Sequence, residues 1–352
     1  MTEAGAPLLA VEDLSVAYRA KGRHRRSGNV VHDVNFSIAK GETLGIVGES
    51  GSGKSTIARA ILGLVPASGG HVRLDGRDIT HANHRERRKV AADLSVVFQD
   101  PYSSLNPALT IGTILGEPLI AQKLGRSQAR DRIAGLLDEV GLPADALDRF
   151  PRQFSGGQRQ RIAIARALAV GPRLIVCDEP VSALDVSIQA QIVNLLADIR
   201  DEFGLAMLFV AHDLSVVRHV ADRTAVVLGG RIMEIGPAEQ IYADPRHPYS
   251  AALSAAALVP VPHVQRQRRE ARGALSRIND AAEVGAGGCP FWARCPERIS
   301  LCRSVVPPMV QITPETSVAC HVRAPASPPA PATGHPAAGG DGATAAEERN
   351  KQ

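Results

Sequence analysis

Aromatic residues supply only 3% of this 352-residue chain, against a hydrophobic content of 44%. The core such a composition can build must be aliphatic, assembled from Ala, Leu, Val and Ile. No run of 18 or more apolar residues occurs, and the opening residues lack the charged-then-apolar order of a secretory signal. These absences exclude a membrane-spanning helix and point away from export. A cytosolic setting is the resulting expectation, so the five cysteines should be reduced, buried or metal-bound rather than disulfide-paired. A large excess of one charge is also missing. The net charge is +4 with a pI near 8.9, and arginine provides nearly all the basic residues. That balance is too mild to demand a nucleic-acid partner. Basic clusters at 21–26, 85–89 and 266–269 read as solvated loops rather than binding stripes. There is no internal repeat, hence one unit per chain.

The positive signals begin with alternation. Val11-Glu12-Asp13-Leu14-Ser15-Val16 and Val34-Asn35-Phe36-Ser37-Ile38 predict two strands of an antiparallel hairpin within residues 8–38. Residues 43–47 predict a buried strand and 55–64 a helix. Helices follow at 111–124, 126–140 and 158–169. Residues 174–177 and 206–210 are short apolar runs of parallel-strand type. A late strand pair, 224–228 and 231–235, turns at Gly229-Gly230. The composition shifts near Val259-Pro260-Val261-Pro262, so one unit should cover 8–258, with a helical part at about 100–165, and a smaller cysteine-bearing extension 259–322. The remainder, 323–352, is Ala-, Pro- and Gly-rich and is expected to be disordered.

The chemistry starts at Gly48-Glu49-Ser50-Gly51-Ser52-Gly53-Lys54-Ser55-Thr56. This is a phosphate loop: its glycines let backbone N–H groups close around phosphate oxygens, and its lysine reaches the β- and γ-phosphates. A strand before it and a helix after it are the context that motif requires. Lys54 should neutralise the γ-phosphate, and Ser55 should place its hydroxyl on Mg²⁺. Leu174-Ile175-Val176-Cys177-Asp178-Glu179 is a buried strand ending in two carboxylates. Asp178 can hold the metal through water, whereas Glu179 can polarise a water for in-line attack. On its own the segment would pass for a strand with an acidic turn; downstream of a phosphate loop that reading loses. Cys177, inside the run, reads as a small buried hydrophobe.

The order phosphate loop, Gln99, Ser155-Gly156-Gly157-Gln158, Asp178-Glu179, Asp185 and His212 resembles the nucleotide-binding subunit of an ABC transporter over roughly residues 8–241. The resemblance implies a P-loop α/β fold: a RecA-like core, an antiparallel β-subdomain and an α-helical subdomain, with a small cysteine-containing C-terminal extension. It implies a head-to-tail dimer in which Ser155 to Gln158 of one subunit bind the γ-phosphate held by the partner's loop. By position, Tyr18 matches the adenine-stacking aromatic, with an ordinary strand residue as the alternative. Gln99 matches the glutamine that senses Mg²⁺, His212 the histidine that contacts the γ-phosphate, and Asp185 the aspartate that communicates across the dimer. The segment Gln99-Asp100-Pro101-Tyr102-Ser103-Ser104-Leu105-Asn106-Pro107 and the later His247-Pro248-Tyr249 are similar to the ATPases of oligopeptide and dipeptide importers. Nickel and glutathione importers share these sequences.

The partners implied by this resemblance are two transmembrane permease subunits, a second ABC ATPase (a heterodimer being favoured), an external peptide-binding protein and no nucleic acid. The location implied is the cytoplasmic face of the membrane. A soluble ABC ATPase acting on DNA or ribosomes is the rival, but it usually carries two units or a coiled-coil insertion, and neither is present. Cys289, Cys295, Cys302 and Cys320 are separated by five, six and seventeen residues, unlike structural zinc or ferredoxin spacings. In peptide-importer ATPases the corresponding region resembles one that can hold a [4Fe–4S] cluster. Zinc and free thiols stay open, as does His321 as a substitute ligand, and so does a redox-sensing role.

Overall fold

The computed structural model describes residues 6–18, 28–256 and 287–324. The basic cluster at 21–26, the one at 266–269, the composition shift at 259–262 and the tail from 325 lie outside the described residues. Two sheets organise the rest. The first is antiparallel, order β2-β1-β4-β5, from β1 (Leu9–Ala17), β2 (Asn29–Ile38), β4 (Gly69–Leu74) and β5 (Arg77–Asp78). The predicted hairpin is its β1–β2 pair, with Leu9 opposite Ile38 and Val11 opposite Phe36.

The second sheet has eight strands. Its parallel part is β3 (Thr43–Val47), β6 (Leu94–Val97), β7 (Leu174–Asp178), β8 (Ala206–Ala211) and β9 (Arg223–Leu228). Both faces of these strands are covered, which is why they read as continuous apolar runs. Side chains alternate between two cores. Leu174, Val176, Leu208 and Val210 face the core shared with α1 and the antiparallel sheet, while Ile175, Cys177, Met207 and Phe209 face the core built with the remaining helices. β10 (Arg231–Pro237) then runs antiparallel to β9, and β12 (Ser317–Val318) and β11 (Val310–Gln311) add to its far edge. The cysteine-bearing segment is thus strand-paired onto the main sheet.

Helix α1 (Lys54–Ile61) stops three residues before the predicted end, closed by a turn through Leu62 and Gly63. The cluster at 85–89 is not a loop. It is helix α2 (His84–Val90), started by Asn83, whose side chain accepts from the Glu86 amide while Glu86 returns the bond. Within it Arg87 donates to the Ile61 and Ile79 carbonyls, so it ties α1 to the antiparallel sheet. The helical part holds the short helix α3 (Pro101–Ser104), α4 (Ile111–Ala121), α5 (Arg126–Glu139) and α6 (Gly156–Leu168). α7 (Val186–Phe203), α8 (Leu214–Val220), α9 (Ala238–Ala243) and α10 (Pro248–Ala256) complete the core.

Candidate active site

β3 delivers the chain into the loop 48–53, and α1 carries it away. Gly48 lies so close to the β9 backbone that a Cβ there would sit 2.1 Å from the Val227 carbonyl oxygen. Gly53, the residue before α1, offers no capping side chain, so the first N–H groups of the helix stay available to an anion. Glu49, Ser50 and Gly51 are exposed, Ser52 is buried, and Ser55 and Thr56 are half-buried. Lys54 is 3% exposed; its Nζ donates to the Gly48 and Glu49 carbonyls at 2.9 and 3.0 Å. Burial lowers its pKa, offset by the carboxylates of Glu179, Asp178 and Glu49.

The tip of β7 meets this loop. Lys54 Nζ stands 3.9 Å from Glu179 Oε1, and Arg59 Nε 3.7 Å from Asp178 Oδ2. Asp178 is 2% exposed, and its Oδ1 has no hydrogen-bond partner, nor has the buried Ser52 Oγ. A buried carboxylate oxygen without a donor fits a site shaped for a hydrated cation. Glu179 has a positive φ of 51°, its amide donating to the Val210 carbonyl at 3.0 Å. Tyr18 is 44% exposed and its hydroxyl is 3.4 Å from Thr56 Oγ1, which places the ring beside the first turn of α1. Gln99 follows β6 and His212 follows β8, at the strand ends on the phosphate-loop side of a parallel sheet.

The Ser155 turn lies elsewhere. Ser155 caps α6: its hydroxyl accepts from the Gln158 amide, and the Gln158 side chain accepts from the Ser155 amide at 3.0 Å. Gly157 faces α7, where a Cβ would stand 2.7 Å from Ile188 Cγ2. α1 packs on β1, β2, β7 and β8, whereas α6 packs on α3, α4, α5, β6 and α7. Ser155 and Gln158 are exposed, and so is Asp185, the residue that opens α7.

Cys289, Cys295, Cys302 and Cys320 are all free, buried, and line one small cavity with His247, Phe291 and Trp292. His321 also lines it, with Nε2 3.0 Å from the Val305 carbonyl oxygen. Burial pushes the Cys289 thiol up to about 11 and raises Cys295. Among the described residues no group of three or more His, Cys, Asp or Glu stands ready to hold a metal ion. The metal expectation therefore draws on the convergence of the four thiols alone.

Two residues that sequence reasoning missed touch the phosphate loop. The Tyr249 hydroxyl accepts from the Glu49 amide at 3.0 Å, and the Arg294 guanidinium grips the Glu49 carboxylate at 2.7 and 3.0 Å. His247-Pro248-Tyr249 stands out by resemblance, but neither contact has a local signal.

The ABC transporter family profile matches residues 31–182, and that of the oligopeptide/dipeptide transporter C-terminal region matches 233–302. A Sinorhizobium fredii protein named "Probable peptide ABC transporter ATP-binding protein y4tS" is 45% identical over 326 residues, covering 91% of each chain. A Brucella ovis protein whose name gives it as a peptide import ATP-binding protein is 45% identical over 322 residues, covering 91% of this chain and 98% of its own. The dimeric structure of an ATP-binding cassette in a post-hydrolysis state, bound to ADP and Pi, superposes with a TM-score of 0.59 at 31% identity, over 65% of this chain and 98% of the other. By fold, motif order and kinship, this chain belongs to the ABC transporter family.

Proposed function

We propose that this chain is the ATP-hydrolysing subunit of a peptide importer. The observation that carries the ATPase part is the meeting of Lys54 and the Asp178–Glu179 strand tip at one buried, partly unpartnered site. Lys54 leaves the Gly48 and Glu49 carbonyls to take phosphate oxygens of ATP, while amides of the loop beyond Glu49 and the first N–H groups of α1 cradle the rest. Tyr18 stacks on the adenine. Ser55, Gln99 and Asp178 are the residues that would hold Mg²⁺, which supplies charge neutralisation between the phosphates. Glu179 accepts the proton of the attacking water as its oxygen bonds to the γ-phosphorus and the bond to ADP breaks. His212 contacts the departing γ-phosphate.

One chain does not bring Ser155-Gly156-Gly157-Gln158 to its own loop, so the turn serves a second ATPase subunit, with Asp185 at the seam. The kinship names and the C-terminal-region match support peptides as cargo and two permease subunits as partners. No helix among the described residues is long and apolar enough to cross a membrane, which fits a peripheral subunit on the cytoplasmic face. A heteromeric ATPase pair and an external peptide-binding protein complete the assembly. Cys289, Cys295, Cys302 and Cys320 converge on one small cavity that His247 and His321 also line; that convergence supports a [4Fe–4S] cluster held by the four cysteines, with zinc or free thiols as the alternatives. Such a cluster would supply electron-transfer or structural chemistry; none of the hydrolysis would run through it.

The test is reconstitution of the chain with its two permeases in proteoliposomes, with the external receptor added. Peptide uptake that requires ATP and an intact Lys54 supports the reading. Uptake of nickel or glutathione but not peptide overturns the cargo, and nuclease-sensitive association with DNA or ribosomes in place of permeases overturns transport.

A further inference from the structure

Glu49 places a carboxylate at the mouth of a site built for a polyphosphate. Unpaired, that charge opposes the ligand. It is not unpaired. Arg294, 245 residues further on, forms a two-pronged bond to it: Nη1 to Oε1 at 2.7 Å and Nη2 to Oε2 at 3.0 Å. Arg294 ends the single helical turn Trp292–Arg294, between Cys289 and Cys295. Its guanidinium lies 5.2 Å from the Phe291 ring and 5.9 Å from that of Tyr249, and those two rings are 5.4 Å apart. Phe291 and Tyr249 are 2% and 1% exposed, so the platform beneath the arginine is fixed by packing. Tyr249 also accepts from the Glu49 amide. Burial holds its phenol at about 12, so it stays neutral beside the phosphate site. Pro290 closes the same face against the β9–β10 turn, within 3.1 Å of where a Gly229 Cβ would be. Glu49 is therefore gripped at backbone and side chain by the C-terminal part of the chain.

We propose that Arg294 is a positioning residue of the nucleotide site, acting through Glu49 to set ATP affinity, so that the cysteine-bearing segment completes that site in cis. The inference rests on the phosphate-loop reading given above. Neutralising Glu49 removes repulsion from the polyphosphate, and turning its side chain toward the 289–295 turn keeps the loop mouth open. Both effects belong to binding rather than to the bond-breaking step.

The experiment is titration of the full-length chain with MgATP and a fluorescent ATP analogue, in parallel with steady-state ATPase kinetics. Arg294→Ala should raise Kd and KM about fivefold at low salt, the pair being partly exposed, with the loss shrinking as salt is added. It should fall on KM and not on kcat. The variant Glu49→Gln/Arg294→Ala should recover wild-type affinity to within about twofold, because the charge that Arg294 masks is gone. A merely structural clamp gives the opposite result: the double variant binds as poorly as Arg294→Ala, and that outcome overturns the proposal. So does Arg294→Ala binding like the wild type. Lys54→Ala is the control. If it keeps full ATP affinity, the phosphate-loop reading itself fails; if it loses affinity while Arg294→Ala does not, only this inference fails. Thermal melting of each variant shows whether the fold survives, and Arg294→Gln, which keeps the aliphatic stem and a planar polar end without the charge, replaces the alanine variant if it does not.

Discussion

Glu179 sits in a left-handed backbone conformation, φ 51°, which a side chain with a Cβ adopts at a cost of about 1–3 kcal/mol. Its amide bond to Val210 and its position beside Lys54 hold it there. Glu179→Gln keeps shape and backbone and removes only the proton acceptor. ATP turnover should fall by about 100-fold or more. An ATP-bound twofold assembly should then accumulate, visible by light scattering on a sizing column. A variant that stays monomeric alone and with its sister ATPase, or that turns ATP over at the original rate, contradicts the assignment. Two positions earlier, Cys177 is fully buried, and burial pushes its thiol up to about 12, with Asp178 adding to the rise. It stays a thiol at pH 8. Iodoacetamide at pH 8 should leave Cys177 unmodified in the native chain and modify it in urea, as read by peptide mass spectrometry. The burial of Cys177 is legible in the sequence because its three apolar neighbours Leu174, Ile175 and Val176 fix the strand. The conformation of Glu179 is not, because nothing in a sequence spells a positive φ at a glutamate.

The N-terminus of α6 shows how one element serves two masters. Its own stability comes from the reciprocal bonds of Ser155 and Gln158, and its seat from Gly157 against Ile188 of α7. Ser155→Ala should destabilise the fold by only about 1 kcal/mol in urea unfolding. If the turn also binds the partner's γ-phosphate, ATPase activity should drop far more than that loss explains. Equal, small losses in both would reduce Ser155 to a cap. Gly157→Ala drives a methyl to within 2.7 Å of the Ile188 branch methyl, so α6 or α7 must shift, and should lower both stability and activity. At this scale the periodic helices and the apolar strands are readable, with ends displaced by one to three residues where caps and turns decide. α2 reads as a loop when charge dominates the impression, although Asn83 and Glu86 are spaced as a capping box. The two-residue strands β11 and β12 carry too few residues to show any period, and only the edge of β10 makes them strands.

The C-terminal segment looks from composition like an appendage, yet it is built into the core at several points. Glu234 pairs with Val318 and Ile235 with Ser317, the Ala319 amide donates to the Met233 carbonyl, and Thr316 Oγ1 donates to Gln240 Oε1. Arg323 is ion-paired to Glu297, and Ala324 is buried in the small cluster with Val318 and Cys320. Long-range contacts of this kind leave no trace in a local pattern, which is why the ATP site is legible from residues 48–56 and 178–179 while its Tyr249 and Arg294 supports are not. Ending the chain after Ala256 tests the integration of the whole. The edge of β10 loses its partner and becomes an open template for aggregation. Phe291 leaves the Tyr249 ring, and Glu49 keeps a naked carboxylate at the phosphate loop. The shortened chain should melt several degrees lower, form soluble aggregates on a sizing column, and bind MgATP more weakly by at least the loss caused by Arg294→Ala. Adding Glu49→Gln to it should recover the electrostatic part of that affinity and none of the melting temperature, because charge relief acts at the loop while strand pairing acts at the sheet. An unchanged melting curve and unchanged affinity would mean that the ATPase core stands complete at Ala256, with the cysteine segment riding on its surface.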